Sequence, residues 1–152
     1  MVALSQVTGA PWRLRDDSPV GDQAAGRPGA RQCDAEASST ATTPPAILSV
    51  TLDRRDPATV TSQNLLDQAK RRDPGCTKPM ASPPEGTGLA LSCTRAAAST
   101  ITESNTILVV ETGWVQVAIS AQHKADAAAA EKAETFAATA SQKAAAAALD
   151  LI

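Results

Sequence analysis

Alternating hydrophobic and polar residues indicate most of the strands of this chain. Leu48, Val50 and Leu52 alternate with Ser49 and Thr51. Because successive side chains of a strand point to opposite faces of a sheet, this alternation predicts a strand with one buried face. Similar alternation predicts two further strands at 89–95 and 114–120. An apolar run within 106–111 predicts another strand, which would be covered on both faces of the sheet. With residues 47–53, the sequence predicts an antiparallel sheet of about four strands.

The end of the chain has a helical pattern. A helix is predicted over 126–150, because apolar residues, most of them small, recur there at helical spacing, namely Ala129, Ala133, Phe136, Ala137, Ala140, Ala144, Ala147, Ala148 and Leu151. This stripe is shallow apart from Phe136, so we expect the helix to lie close against one face of the sheet. A mid-chain helix is predicted to begin at Asp56-Pro57 and to end at Asp73-Pro74-Gly75. Together these elements predict an α+β fold.

The first third of the chain predicts little regular structure. A short helix is expected over 2–8, ended by Gly9 and Pro11. Residues 12–45 are rich in Gly, Pro, Asp, Ser and Thr, and Asp16-Asp17-Ser18-Pro19 is predicted as a turn. At most a short strand is expected near 31–35. The 152 residues suit one domain, so we interpret 1–152 as a single domain with a loop-rich segment at 12–45.

Composition excludes some classes of function. The net charge is −2, and the chain has one Phe, two Trp and no Tyr. Nucleic-acid binding is not expected, because most basic residues are scattered and the aromatic side chains that stack on bases are scarce. The basic cluster Lys70-Arg71-Arg72 is interpreted as complementing a helix C-terminus. No apolar run reaches the roughly 18 residues of a membrane span, so no transmembrane segment is expected.

The three cysteines favour a covalent tie over a metal site. Cys33, Cys76 and Cys93 lack the paired spacing of zinc ligands, and the single histidine lies far from them. Cys76 follows a Pro-Gly turn and Cys93 lies in the next predicted strand, so we predict a Cys76–Cys93 disulfide. It would close a loop of about 18 residues and contribute about 3 kcal/mol. A Cys33–Cys93 bridge, a Cys33–Cys76 bridge and three buried thiols are the alternatives.

Candidate chemistry is sparse. The chain has no nucleophile elbow, zinc-protease helix, phosphate loop or dinucleotide-binding glycine set. An enzyme would have to use His123 or Asp16-Asp17, whose surroundings predict a solvated loop and a turn. Trp12 and Trp114 are the candidate ligand or partner contacts, since an aromatic side chain supplies a large contact area. We predict no catalytic residue, no metal and no cofactor.

Four passages carry a resemblance to known domains. They are residues 3–10 (Ala-Leu-Ser-Gln-Val-Thr-Gly-Ala), Cys33 after a Pro/Gly stretch, Asp73-Pro74-Gly75-Cys76 after the mid-chain helix, and the closing hairpin with an Ala-rich helix that carries Lys143. Here the chain resembles small extracytoplasmic domains of actinobacteria, namely secreted or lipoprotein-type proteins and the sensor domains of mycobacterial-type serine/threonine kinases. The resemblance implies a curved antiparallel sheet with helices on one side, disulfide ties, and a cleft for a small ligand or an envelope protein. It supplies no catalytic residues.

The function predicted from the sequence is a non-enzymatic, secreted or cell-surface domain that binds a ligand or a protein partner. Met1 is followed by Val-Ala-Leu-Ser, without the basic start and long apolar core of a signal peptide. This localisation therefore requires a leader that is not present in this chain. The alternative is a structural or assembly component of a larger complex, in which the alanine stripe of the last helix would pack against a second copy.

Overall fold

The computed structural model describes residues 2–19, 31–54, 63, 67 and 77–151. The helices whose bounds lie in this part of the chain are Val2–Thr8 (α1) and Ala127–Leu149 (α2). The strands are Trp12–Pro19 (β1), Arg31–Ala37 (β2), Ala46–Arg54 (β3), Leu89–Ala98 (β4), Ile101–Val110 (β5) and Gly113–Gln122 (β6). They form one antiparallel sheet in the order β1-β2-β3-β6-β5-β4.

The sheet has six strands, so our prediction of about four strands is wrong, although the fold is still α+β. The four predicted strands correspond to β3 to β6. The two additional strands come from the segment that we expected to be loop-rich, and Asp16-Asp17-Ser18-Pro19 lies in β1 rather than in a turn. β1 is an edge strand, and even its Leu14 side chain is 52% exposed. Of the side chains described for β1, Trp12 is buried and those at 13–15 are exposed, so they carry no hydrophobic alternation, and pairing with β2 determines the structure of the strand.

Helix α2 is located where the sequence predicts it. The Asp126 side chain caps its first turn by accepting a hydrogen bond from the backbone N–H of Ala129 at 2.8 Å, and Asp150 is the C-cap. The buried residues of α2 are small, namely Ala133, Ala137, Ala140, Ser141, Ala144, Ala145 and Ala148. The predicted alanine stripe therefore packs on the sheet, and Phe136 is partly buried at the border of the core.

We call the sheet face beneath α2 the inner face. It carries the main hydrophobic core, whose most deeply buried large side chains are Leu48, Leu108, Val115, Val117 and Ile119. Helix α1 is tied to this core by Trp12, whose indole N–H donates to Thr8 Oγ1 at 2.7 Å. Gly9, with φ +73°, then ends α1 and donates its backbone N–H to the Ser5 carbonyl at 2.9 Å.

A row of buried hydroxyl groups connects α2 with β4 and β5. The contacts in order are Gln142 Nε2 to Ser92 Oγ (3.2 Å), Ser92 Oγ to Thr106 Oγ1 (3.1 Å), Thr106 Oγ1 to Ser141 Oγ (3.0 Å), Ser141 Oγ to Ser104 Oγ (2.8 Å), and Ser104 Oγ to the Cys93 carbonyl (3.1 Å). Each hydroxyl has one proton to donate and can also accept. If all protons point in this direction, every hydroxyl in the row both accepts and donates a hydrogen bond. We call these residues the hydroxyl row.

The predicted mid-chain helix falls largely outside the described residues. Only Gln63 and Asp67 of this segment are described; both are helical, and the Gln63 amide donates to the Asp67 carboxylate at 2.9 Å. Within the described part of the chain, no helix has the length and apolar character needed to cross a membrane.

Candidate functional site

The candidate site lies on the outer face, which is the sheet face opposite α2. Cross-strand register places five side chains of this face in one row, Asp34, Ser49, Ala118, Asn105 and Cys93. The two central strands are uncovered here, since Ala118 of β6 is exposed and Ile47 of β3 is 41% exposed. The middle of the outer face is therefore accessible to a ligand or a partner.

A shallow depression of about 310 Å³ crosses this row, and we call it the outer groove. Its lining residues are Ile47, Ser49, Cys93, Arg95, Glu103, Ser104, Asn105, Ala118, Ile119 and Ser120. They belong to β3, β6, β5 and β4. These four strands are neighbours in the sheet, although β3 and β6 are far apart in the sequence.

The outer groove offers hydrogen-bonding groups that the described protein does not use. Asn105 Oδ1 accepts from the Gln116 amide at 3.2 Å, and none of the described residues accepts from the Asn105 NH₂ group. The hydroxyls of Ser49 and Ser120 likewise have no protein partner in the described part of the chain. Partly exposed polar groups of this kind can bind water and exchange it for a ligand.

One wall of the outer groove carries an ion pair. Arg95 Nη2 lies 3.3 Å from Glu103 Oε2, across the ladder between β4 and β5, and both side chains are roughly half exposed. An exposed pair of this kind adds little stability. Its guanidinium and carboxylate place both signs of charge on this wall of the outer groove.

The other end of the outer face is apolar. Leu91, Ile107 and Val109 are buried there, and Leu89 and Trp114 pack against them. The indole nitrogen of Trp114 is buried and has no hydrogen-bond partner among the described residues. Trp114 and Ala118 are four residues apart on β6, about 13 Å in an extended strand. Trp114 thus shares a face with the outer groove without lining it, and its predicted contact with a ligand stays a prediction.

The structure does not bring the two tryptophans together. Trp12 is 5% exposed and belongs to the inner-face core, whereas Trp114 is on the outer face. The backbone N–H of Trp12 donates to Ser5 Oγ at 3.0 Å, in addition to the indole bond to Thr8. These contacts are typical of a packing residue, and a ligand contact by Trp12 stays a prediction.

His123 is bound on both ring nitrogens. Nδ1 lies 2.8 Å from the Lys124 carbonyl, and Nε2 lies 3.1 Å from Thr102 Oγ1. Because a carbonyl only accepts, Nδ1 donates to Lys124, and Nε2 is hydrogen-bonded to the Thr102 hydroxyl. This arrangement fixes the end of β6 to β5. The described residues contain no group of three His, Cys, Asp or Glu side chains that could hold a metal ion.

The sheet excludes one of the alternative disulfides. Cys33 on β2 is in register with Val50 on the inner face, whereas Cys93 on β4 is in register with Asn105 on the outer face. In addition, β2 and β4 are separated by four inter-strand distances, about 19 Å along the sheet. The Cα atoms of two cysteines joined by a disulfide are only about 4 to 7 Å apart. Cys93 is disulfide-bonded. Cys76 lies outside the described residues, so the Cys76–Cys93 pairing stays a prediction.

The residues of the outer groove were not predicted as a site. Ser49 and Ser120 were recognisable as polar positions of alternating strands, but the sequence does not show which strands become neighbours. The signal that could have found the groove is a set of small and polar residues at the outward positions of successive strands, here Ser49, Asn105, Ala118 and Ser120.

No protein-family model matches the chain, and comparison with curated proteins and with solved structures finds no similar protein either. The resemblance to extracytoplasmic domains of actinobacteria therefore stays a prediction.

Proposed function

We propose that the protein is a non-enzymatic, extracytoplasmic binding domain and that the outer groove contacts its ligand or protein partner. The observation that supports this proposal best is the uncovered centre of the sheet. Ala118 and Ile47 are exposed on the two central strands, between the unpaired polar groups of Ser49, Asn105 and Ser120. A solvated outer face is common in antiparallel sheets; the depression and its free hydrogen-bonding groups are what favour recognition.

The chemistry of the outer groove favours binding over catalysis. A serine nucleophile needs a base within hydrogen-bond reach, and no histidine lines the groove. Glu103, the one carboxylate among the described residues that line the groove, is paired with Arg95 at 3.3 Å. Both ring nitrogens of His123 are already engaged elsewhere. The groups that remain can donate and accept hydrogen bonds.

The size of the groove limits the ligand. A volume of about 310 Å³ is at the lower end of the range for small-molecule sites, roughly 300 to 1,000 Å³. The lining combines an apolar floor, Ile47 and Ala118, with amide, hydroxyl and ionic groups. A small polar molecule, or one polar side chain of a protein partner, fits this description.

The proposed localisation depends on cysteine chemistry. Stable disulfides form in oxidising compartments and are rare in the cytosol. A disulfide at Cys93 supports a secreted or cell-surface location, as does the resemblance stated above.

The assembly alternative loses its proposed interface. The alanine stripe of α2 was to pack against a second copy, but Ala137, Ala144 and Ala145 are fully buried against the protein's own sheet. The binding hypothesis is therefore preferred.

A thermal-shift screen with a matched pair of variants tests the proposal. Ala118→Arg places a long side chain in the outer groove, and Ala128→Arg makes the same change at an exposed position of α2. Small polar compounds that bind the groove should stabilise the wild type and Ala128→Arg, by about 2.7 kcal/mol at a hundredfold excess over Kd. They should not stabilise Ala118→Arg. A screen without hits, or hits that stabilise all three proteins equally, would contradict the proposal.

A further inference from the structure

A second depression lies between the loop that joins β2 to β3, the end of β6 and the first turns of α2, and we call it the loop cleft. It is lined by residues 39–45, by residues 122–124, and by Ala129, Lys132 and Ala133 of α2. Its volume of about 550 Å³ lies well within the range of small-molecule sites, roughly 300 to 1,000 Å³. The loop cleft shares no lining residue with the outer groove.

The loop cleft is cationic. Lys124 and Lys132 line it, and the described residues that line it include no aspartate or glutamate. Neither ammonium group forms an ion pair with a described residue. Glu131 precedes Lys132, but it lines a neighbouring depression beside α1, which Lys132 also borders. In a protein with a net charge of −2, this local excess of positive charge favours an anionic ligand.

The hydrogen-bonding groups that remain available in the loop cleft are mainly donors. The side-chain amide of Gln122 has no protein partner in the described part of the chain, so its NH₂ group can join the two ammonium groups. The start of α2 contributes nothing here, because the Ala129 N–H is already bound to the Asp126 carboxylate at 2.8 Å. Ammonium groups only donate, and they bind most strongly to acceptor oxygens that carry negative charge.

Hydrogen bonds within the protein hold the walls of the loop cleft in place. Thr40 Oγ1 accepts from the backbone N–H of Thr43 at 3.1 Å, and the Thr40 N–H donates to the Thr43 carbonyl at 2.9 Å. The backbone N–H of Gln122 donates to the Pro45 carbonyl at 2.9 Å, which ties the loop to the end of β6. On the other wall, His123 Nδ1 donates to the Lys124 carbonyl at 2.8 Å. A site with fixed walls loses less conformational entropy when it binds a ligand.

We propose that the loop cleft binds a small molecule that carries a carboxylate or phosphate group. Lys124 and Lys132 supply the opposite charge, and the Gln122 amide donates a further hydrogen bond. An ammonium group acts as a point charge and does not select between a planar carboxylate and a tetrahedral phosphate. The shared chemistry of the ligand is therefore its oxyanion. This site does not depend on the outer groove.

Isothermal titration calorimetry with sodium phosphate and with sodium citrate, at constant ionic strength, tests the proposal. At least one of the two anions should bind the wild type. Lys124→Gln and Lys132→Gln should each weaken that binding about tenfold, the effect of losing one charged hydrogen bond. Lys143→Gln is the matched control, because Lys143 is an exposed lysine of α2 that does not line the loop cleft. It should bind like the wild type, and far-UV circular dichroism checks that each variant is folded.

Amide NMR spectra recorded during the same titrations locate the site. Shifts should concentrate on Thr42, Thr43, His123 and Lys124, and the outer groove should be unaffected. Binding of phosphate alone or of citrate alone would assign the ligand to that class of anion.

Four results would overturn the proposal. They are no binding of either anion, equal weakening by Lys143→Gln, wild-type affinity in both Lys124→Gln and Lys132→Gln, and shifts that lie outside the loop cleft. Binding to phosphatidylglycerol vesicles without binding of either free anion would assign the lysines to a membrane surface and would also overturn it.

Discussion

The hydroxyl row makes Ser141 a critical contact between α2 and the sheet. Ser141, Ser104 and Thr106 are each at most 1% exposed, so water does not reach them. Ser141 Oγ lies 3.0 Å from Thr106 Oγ1, 2.8 Å from Ser104 Oγ and 3.1 Å from the Ala138 carbonyl; with the protons ordered along the row, it accepts from Thr106 and donates to Ser104. Ser141→Ala removes the acceptor for one buried hydroxyl and the donor for the other. We expect this substitution to destabilise the protein, although alanine is the better helix former.

The size of the effect is the difference of two terms. A buried polar group that loses its partner costs about 1 to 3 kcal/mol. The change from serine to alanine inside a helix gains about 0.5 kcal/mol. The free energy of unfolding of Ser141→Ala should therefore fall by about 0.5 to 2.5 kcal/mol. In a domain of this size each kcal/mol corresponds to about 2 to 4 °C in Tm.

Urea unfolding followed by far-UV circular dichroism measures this change. Thr139→Ala is the matched control. It also replaces a hydroxyl residue of α2 by alanine, but Thr139 is exposed. The control should be as stable as the wild type or slightly more stable. Ser141→Ala together with Ser104→Ala should cost less than the sum of the two single changes, because the residues share one hydrogen bond. If Ser141→Ala were as stable as Thr139→Ala, the proposed role of the hydroxyl row would be refuted.

Three further predictions follow from the same packing. Asp126→Ala loses the N-cap bond to Ala129 and should lower the free energy of unfolding by about 1 kcal/mol in urea, whereas Asp126→Asn should not. Ala144→Leu overfills a position with no exposure and should cost about 1 to 3 kcal/mol in the same assay; equal stability would show that α2 is not closely packed. Peptide mapping without reductant should recover Cys76 linked to Cys93, and reduction should cost about 3 kcal/mol; a linked peptide that contains Cys33 would contradict this pairing.

The sequence predicts those elements whose burial produces a periodic pattern. β3, β6 and α2 each bury one face, and their bounds were predicted to within a few residues. β1 was missed, and β2 was expected at most as a short strand near 31–35, because both lie near the edge of the sheet, where polar residues such as Asp16 and Asp17 are tolerated in a strand. Hydrogen bonds to a neighbouring strand hold them, and a single-sequence pattern does not record such bonds.

Polar positions of β5 show a second limit of the pattern. Ser104 and Thr106 are polar, yet both are buried on the inner face against Ser141, which lies far away in the sequence, and hydropathy alone does not predict such burial. Trp12 shows the converse, since an aromatic residue of a segment expected to be loop-rich lies in a strand and packs in the core; its predicted ligand contact stays a prediction. The outer groove depends on the order of the strands, and that order arises only when the sheet is assembled.

The central claim is that the outer face of the sheet is the contact surface. Two-dimensional amide NMR spectra of the labelled protein, recorded during titration with hits from the thermal-shift screen, test this claim most directly. The account predicts that the shifts concentrate on residues of the outer groove, namely Ser49, Asn105, Ala118 and Ser120. Shifts that concentrate on α1 or α2, with the outer groove unchanged, would contradict it.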